Sequence, residues 1–165
     1  MGIQSNIQKY HTNILGNGTK PAILQEIEVL ILKNTLRFNF PNKWGIYLYH
    51  ILTPLERYSN GYWLVSNTQI WRKVESDFIN LFCEGSYITN AEFFSTIQKS
   101  DYYIVSGHFQ LNKNNINNYT DTNIMLIVKI NDSIYVEMAT DDYDLFNKLY
   151  VNAQKENFSN IEVAP

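Results

Sequence analysis

Residues that usually carry chemistry are scarce in this chain. It holds one cysteine among 165 residues, Cys83. One thiol closes no internal disulfide, which fits a reducing compartment. Within Phe78-Ile79-Asn80-Leu81-Phe82-Cys83 it reads as a small core hydrophobe. A catalytic thiol needs a basic neighbour to lower its pKa, and none is close in sequence. The three histidines, His11, His50 and His108, share no ligand spacing with one another or with Cys83, so no metal or cofactor is expected. Seven glycines form no phosphate loop, because no strand leads into Gly16-Asn17-Gly18-Thr19. Asp121-Thr122-Asn123 lacks the acid spacing and glycine of a calcium loop. No apolar run approaches the roughly 18 residues of a membrane span. Residues 1–20 lack the apolar stretch of a secretory signal. A cytoplasmic protein without a membrane partner is therefore expected.

Charge is also thin, at 18% of residues with a net −3, which makes nucleic acid an unexpected partner. Its distribution is uneven. Residues 1–73 hold eight Lys/Arg against three acids, and residues 74–165 hold five against thirteen. A one-signed surface speeds association with partners of opposite sign and selects them. In place of charge the chain carries 21 asparagines, a bias that an AT-rich coding sequence explains.

Apolar residues make up 45% of the chain and aromatics 15%, enough for a sizeable core in one domain. Residues 1–19 read as a flexible arm, and residues 20–165 as a single folded domain. Pro21 opens a helix to about residue 33 on the spacing of Ile23, Leu24, Ile27, Leu30 and Ile31. Leu36–Phe40 alternates as a strand, Trp44–Leu52 reads as a helix ended by Pro54, and Tyr62–Val65 as a strand. Residues 68–83 fit either short strands or a bent helix. Thr89 or Asn90 caps a helix to about residue 99, with Glu92 in its first turn. Asp101–Leu111 is β-rich, and an asparagine-rich loop follows. Ile124–Ile130 and Ile134–Ala139 flank Asn131-Asp132-Ser133, a hairpin signal. The run Ile124–Val128 suits a central strand buried on both faces. Asp141 or Asp142 caps a last helix to about Asn157, and Asn160–Val163 closes the chain as a strand. Consecutive strands mixed with helices predict an α+β fold, with helices on one face of a mainly antiparallel sheet.

Two patterns are candidates for function. The late acids Asp121, Asp132, Glu137, Asp141, Asp142 and Asp144, with Tyr119, Tyr135 and Tyr143 as aromatic anchors, read as a docking surface for a basic protein. The plainer account of Asp141, Asp142 and Asp144 is helix capping. The second is His108 in Val105-Ser106-Gly107-His108-Phe109. It shares a strand face with Ser106, so a nucleophilic pair with Ser106 or with Cys83 is the enzymatic alternative. Trp44, Tyr47, Tyr49, Tyr58, Tyr62, Trp63 and Trp71 divide between core and a possible recognition patch, through which the chain would self-associate as a structural or regulatory module.

The stretches Phe40-Pro41-Asn42-Lys43-Trp44-Gly45, Asp101-Tyr102-Tyr103-Ile104-Val105, Asp132-Ser133-Ile134-Tyr135-Val136 and Leu149-Tyr150 through Asn160-Ile161-Glu162 resemble a family of small uncharacterised bacterial proteins, a domain of unknown function. The resemblance spans most of residues 36–163, and the first 34 residues look like an extension to it. Its motifs are structural, so it supplies no catalytic residue. The composite expectation is a non-catalytic immunity-type inhibitor that masks a basic, nuclease-like toxin domain.

Overall fold

The computed structural model describes residues 32–58, 60–113 and 124–164. The expected arm at 1–19, nearly all of the helix at 21–33, and the candidate residues Tyr119 and Asp121 lie outside these.

The described residues form eight strands and three helices. In chain order they are β1 (Asn34–Asn39), α1 (Tyr47–Leu52) with a 3₁₀ turn (Thr53–Leu55), β2 (Tyr62–Val74), β3 (Asp77–Asn80), β4 (Ser86–Thr89), α2 (Asn90–Ile97), β5 (Tyr103–Asn112), β6 (Ile124–Asn131), β7 (Tyr135–Thr140), α3 (Tyr143–Lys155) and β8 (Ser159–Ala164). One sheet runs β3-β2-β5-β6-β7-β1-β8, with β4 also on β2. Every pairing is antiparallel. This is the expected α+β architecture.

Register shows which residues share a face, because directly opposed side chains point the same way. Leu36, Met138, Val128 and Phe109 line up across β1, β7, β6 and β5, and Val65 of β2 continues the row. These residues are fully buried in the main core, where Trp63 stacks on Phe93 of α2 with ring centroids 4.3 Å apart. All three helices belong to this face: α1 touches both α2 and α3, and α3 packs on β1 and β7. Each large side chain fully buried there contributes about 1.5–3 kcal/mol. β6 is central as expected, with Met125–Val128 buried in succession.

The ends of α3 show how sequence sets its bounds. Asp142 is the N-cap, its Oδ1 accepting from the Leu145 N–H at 3.0 Å. At the other end Asn157 takes φ 54°, the left-handed conformation asparagine tolerates. The Phe158 N–H then reaches Ala153 O and the Asn157 N–H reaches Gln154 O, both at 3.1 Å, closing a Schellman motif. Phe158 stacks on Phe38 of β1 at 5.0 Å, docking the helix end on the sheet. In the β6–β7 hairpin Asp132 and Ser133 both have positive φ, as a type I′ turn requires.

The stretch 68–83 takes the strand alternative: β2 continues to Val74 and turns into β3, which ends at Asn80. Two other details differ from expectation. The strand β4 precedes α2 and was not foreseen. Trp44 lies ahead of α1 in a bend, next to Gly45, which bridges Tyr102. At α2 the cap is Thr89, in a capping box with Glu92. The backbone N–H of Thr89, and then its hydroxyl, hold the Glu92 carboxyl below the usual carboxylate range.

Asn90 turns inward instead. Its Oδ1 accepts from Trp63 Nε1 at 2.8 Å. Its Nδ2 donates to Leu55 O at 3.0 Å and to Tyr58 O at 2.9 Å. Replacing Asn90 by alanine orphans a buried indole N–H and two carbonyls, so Asn90→Ala is expected to cost about 2–4 kcal/mol in denaturant unfolding. A loss below about 1 kcal/mol would mean that water replaces the amide.

Candidate functional site

The acidic candidates among the described residues are spread along β7 and past both its ends. Asp132 sits in the β6–β7 turn, and the neighbouring Ser133 N–H donates to Val105 O at 2.9 Å. Asp141, Asp142 and Asp144 lie past the other end of β7, six residues away, or about 20 Å along the strand. Several of these carboxylates already have partners. Glu137 pairs with Arg37 across β1–β7 at 2.8 Å, and this hydrogen bond is the main reason the guanidinium is held above its ordinary value. Asp141 Oδ1 accepts from the Lys33 backbone N–H at 2.9 Å, and Asp142 caps α3. Tyr135 is half-buried beside Arg37, Glu137 and Glu162, with burial raising its phenol first. At the start of α3, Asp141, Tyr143 and Asp144 are exposed together, Tyr143 to 65%.

The histidine candidate has a different partner from those expected. His108 Nδ1 lies 3.2 Å from Ser66 Oγ across the β2–β5 pairing. Ser106 Oγ donates to Asn67 O at 3.4 Å, and Cys83 is exposed. Ser66 carried no sequence signal, because its pairing with His108 depends on register over 42 residues. Next to this pair β2 bulges. Ser66 opposes His108 and Gln69 opposes Ser106, so Asn67 and Thr68 together face one residue, Gly107. On the outer edge of β2 the bulge lies between the segments that pair with β4 and β3. Side chains take the place of a strand there. Asn80 Nδ2 donates to Thr68 O at 2.6 Å, and Asn80 Oδ1 accepts from the Ile70 N–H at 3.3 Å. The Glu84 carboxylate accepts from the Asn67 N–H at 2.7 Å and the Thr68 N–H at 3.4 Å.

Of the expected aromatic patch, Trp63 is core, while Trp44 is 43% exposed. Trp44 lies 6.0 Å from the Phe78 ring and 5.9 Å from the Tyr103 ring. Phe78 opposes Lys73 and Tyr103 opposes Trp71, so an aromatic corner forms where β3, β2 and β5 begin or end. A separate shallow cleft of about 540 Å³ is lined by Glu56, Ala91, Phe94, Ser95, Gln98 and Lys99. Gln98 Nε2 and Tyr49 Oη both donate to the Glu56 carboxylate there, at 2.8 Å and 3.3 Å. His50, also unforeseen as a paired group, lies 3.2 Å from Glu156 and ties α1 to the end of α3. Among the described residues no group of three or more His, Cys, Asp or Glu is placed to hold a metal ion. No helix among them is long and apolar enough to cross a membrane.

A single antiparallel sheet with helices on one face defines the class. Residues 33–164 match the family described as "Protein of unknown function (DUF2691)", and the chain belongs to that family. It is also similar to the uncharacterized protein YncE of Bacillus subtilis (strain 168), with 28% identity over 134 residues, covering 76% of this chain and 87% of that protein. No solved structure matches.

The Trp44 corner is held from beneath by Tyr102. Its N–H and C=O bond Gly45 at 3.2 Å and 3.1 Å. Its hydroxyl donates to Ile97 O at 3.1 Å and accepts from the Tyr49 N–H at 3.2 Å. Burial pushes this phenol well above the ordinary tyrosine range. The folded state therefore favours the neutral phenol. That stabilisation is complete below the unfolded value of about 10 and is lost as pH rises beyond it. Tyr102→Phe is expected to cost about 1–2 kcal/mol near neutrality and to make the alkaline decline shallower, as checked by unfolding at a series of pH values.

Proposed function

We propose that this protein is a non-catalytic binding protein that neutralises a basic protein partner, a toxin domain of nuclease type, by covering its active surface. The observation that carries the reading is the start of α3, where Tyr143 stands exposed between two exposed carboxylates, Asp141 and Asp144. A tyrosine offers a large, rigid contact with a polar tip, the type of side chain enriched among binding hot spots. Flanking carboxylates steer a cationic partner toward it. Asp144 is exposed in the first turn of α3. Asp132 and Glu137 lie toward the far end of β7 and contribute at most to the long-range field.

Affinity capture from the native host at low and high salt, with wild type and two variants, tests this. Wild type is expected to retain one basic protein in stoichiometric amount at low salt and to release it near 1 M, where charges are screened beyond about 3 Å. Tyr143→Ala is expected to weaken binding by about tenfold or more, and Asp144→Lys to reduce both affinity and its salt dependence. Retention of the same partner by both variants, with unchanged salt dependence, would place the contact elsewhere.

A further inference from the structure

We propose that the β2 bulge is a binding site for a small oxyanion, the carboxylate or phosphate group of a ligand, and that Glu84 occupies it as a resident stand-in. Asn67 has φ 49°, and two successive N–H groups in such a turn form a concave nest that binds anions. The nest is seen holding a carboxylate, but unevenly: the Asn67 contact is 2.7 Å and the Thr68 contact 3.4 Å, beyond good hydrogen-bond distance. A free anion, not tethered to the chain, can centre between the two donors.

A second observation is independent of Glu84. Thr68 is 5% exposed, and its Oγ1 makes no hydrogen bond. A buried hydroxyl without a partner is uncommon and calls for an explanation, and an incoming ligand oxygen supplies one. The hydroxyls of Ser66 and Ser106 and the imidazole of His108 border the same bulge. Only the oxyanion-binding role is inferred here, and it stands apart from the acidic end of α3.

Glu84 can leave. It is exposed, and it sits in the turn Cys83–Ser86, closed by the Ser86 N–H on Cys83 O at 3.3 Å. The next residue, Gly85, has φ 69°, which a glycine adopts freely, so only the Glu84 side chain has to turn outward. Exchange breaks two hydrogen bonds that the incoming anion forms again.

The test is an amide NMR titration of full-length wild type and Glu84→Ala with sodium acetate and, separately, sodium phosphate. In Glu84→Ala the Asn67 and Thr68 amides are expected to shift together and to saturate. In wild type saturation should need about tenfold more anion, as it would if Glu84 left the nest open about a tenth of the time. Which anion saturates first identifies the ligand group. Shifts that stay linear with salt or scatter over the surface, or equal curves for the two proteins, would overturn the proposal. Glu84→Gln, which keeps the side-chain shape without the charge, is expected to fall between the two and serves if the alanine variant folds poorly.

Discussion

The side-chain amide of Asn90 is the constraint on which this arrangement of elements depends. It sits where three segments meet: the 3₁₀ turn after α1, the start of β2 and the first turn of α2. Its backbone N–H bonds Gly61 O at 2.8 Å while its side chain binds Trp63 and the carbonyls of Leu55 and Tyr58. An asparagine amide carries both a donor pair and an acceptor, and here both ends are used in a buried place. Aspartate would offer no donor and leucine neither function. The consequence reaches the core, because the indole that donates to Asn90 also stacks on Phe93, and Phe93 meets Phe82 of the β3–β4 connection and Phe109 of β5. Polar satisfaction and aromatic packing at this point are one structure.

Much of the frame was legible in the sequence wherever the local signal and the tertiary outcome agree. The β6–β7 hairpin and α3 lie close to their expected bounds because turn residues, caps and apolar period all point the same way. The stretch 68–83 was ambiguous for a physical reason. It includes the β2 bulge, and a bulge breaks the alternation by which a strand is recognised. Trp44 was expected in a helix because it precedes an apolar periodic run. In the fold it lies in a bend beside Gly45, which bridges Tyr102, 57 residues further along the sequence. No local pattern encodes that pairing.

The functional candidates were less legible, and for a related reason. Residue type places a carboxylate in a half of the chain, but only register places it on a face. Asp132 and Asp141 are near neighbours in sequence and sit past opposite ends of the same strand. His108 was expected to look along its own strand to Ser106. It meets Ser66 on the neighbouring strand instead, as opposed residues in an antiparallel pair lie closer than residues two apart on one strand.

The scarcity of charge then takes on a structural meaning. Carboxylates in this fold serve chiefly as acceptors for donors that the backbone and a few side chains leave over. Glu84 takes two N–H groups of the bulge, Glu92 closes a capping box, Asp141 takes the Lys33 N–H, Asp142 caps α3, and Glu137 and Glu156 meet Arg37 and His50. Six of the sixteen acids are committed to such tasks, which fixes where their charges sit. Asp144 lies exposed beside an exposed tyrosine. Glu84 holds the bulge site closed. A recognition event in this protein is therefore expected to be short-ranged and geometric, set by a few well-placed groups, with long-range electrostatics in a supporting role.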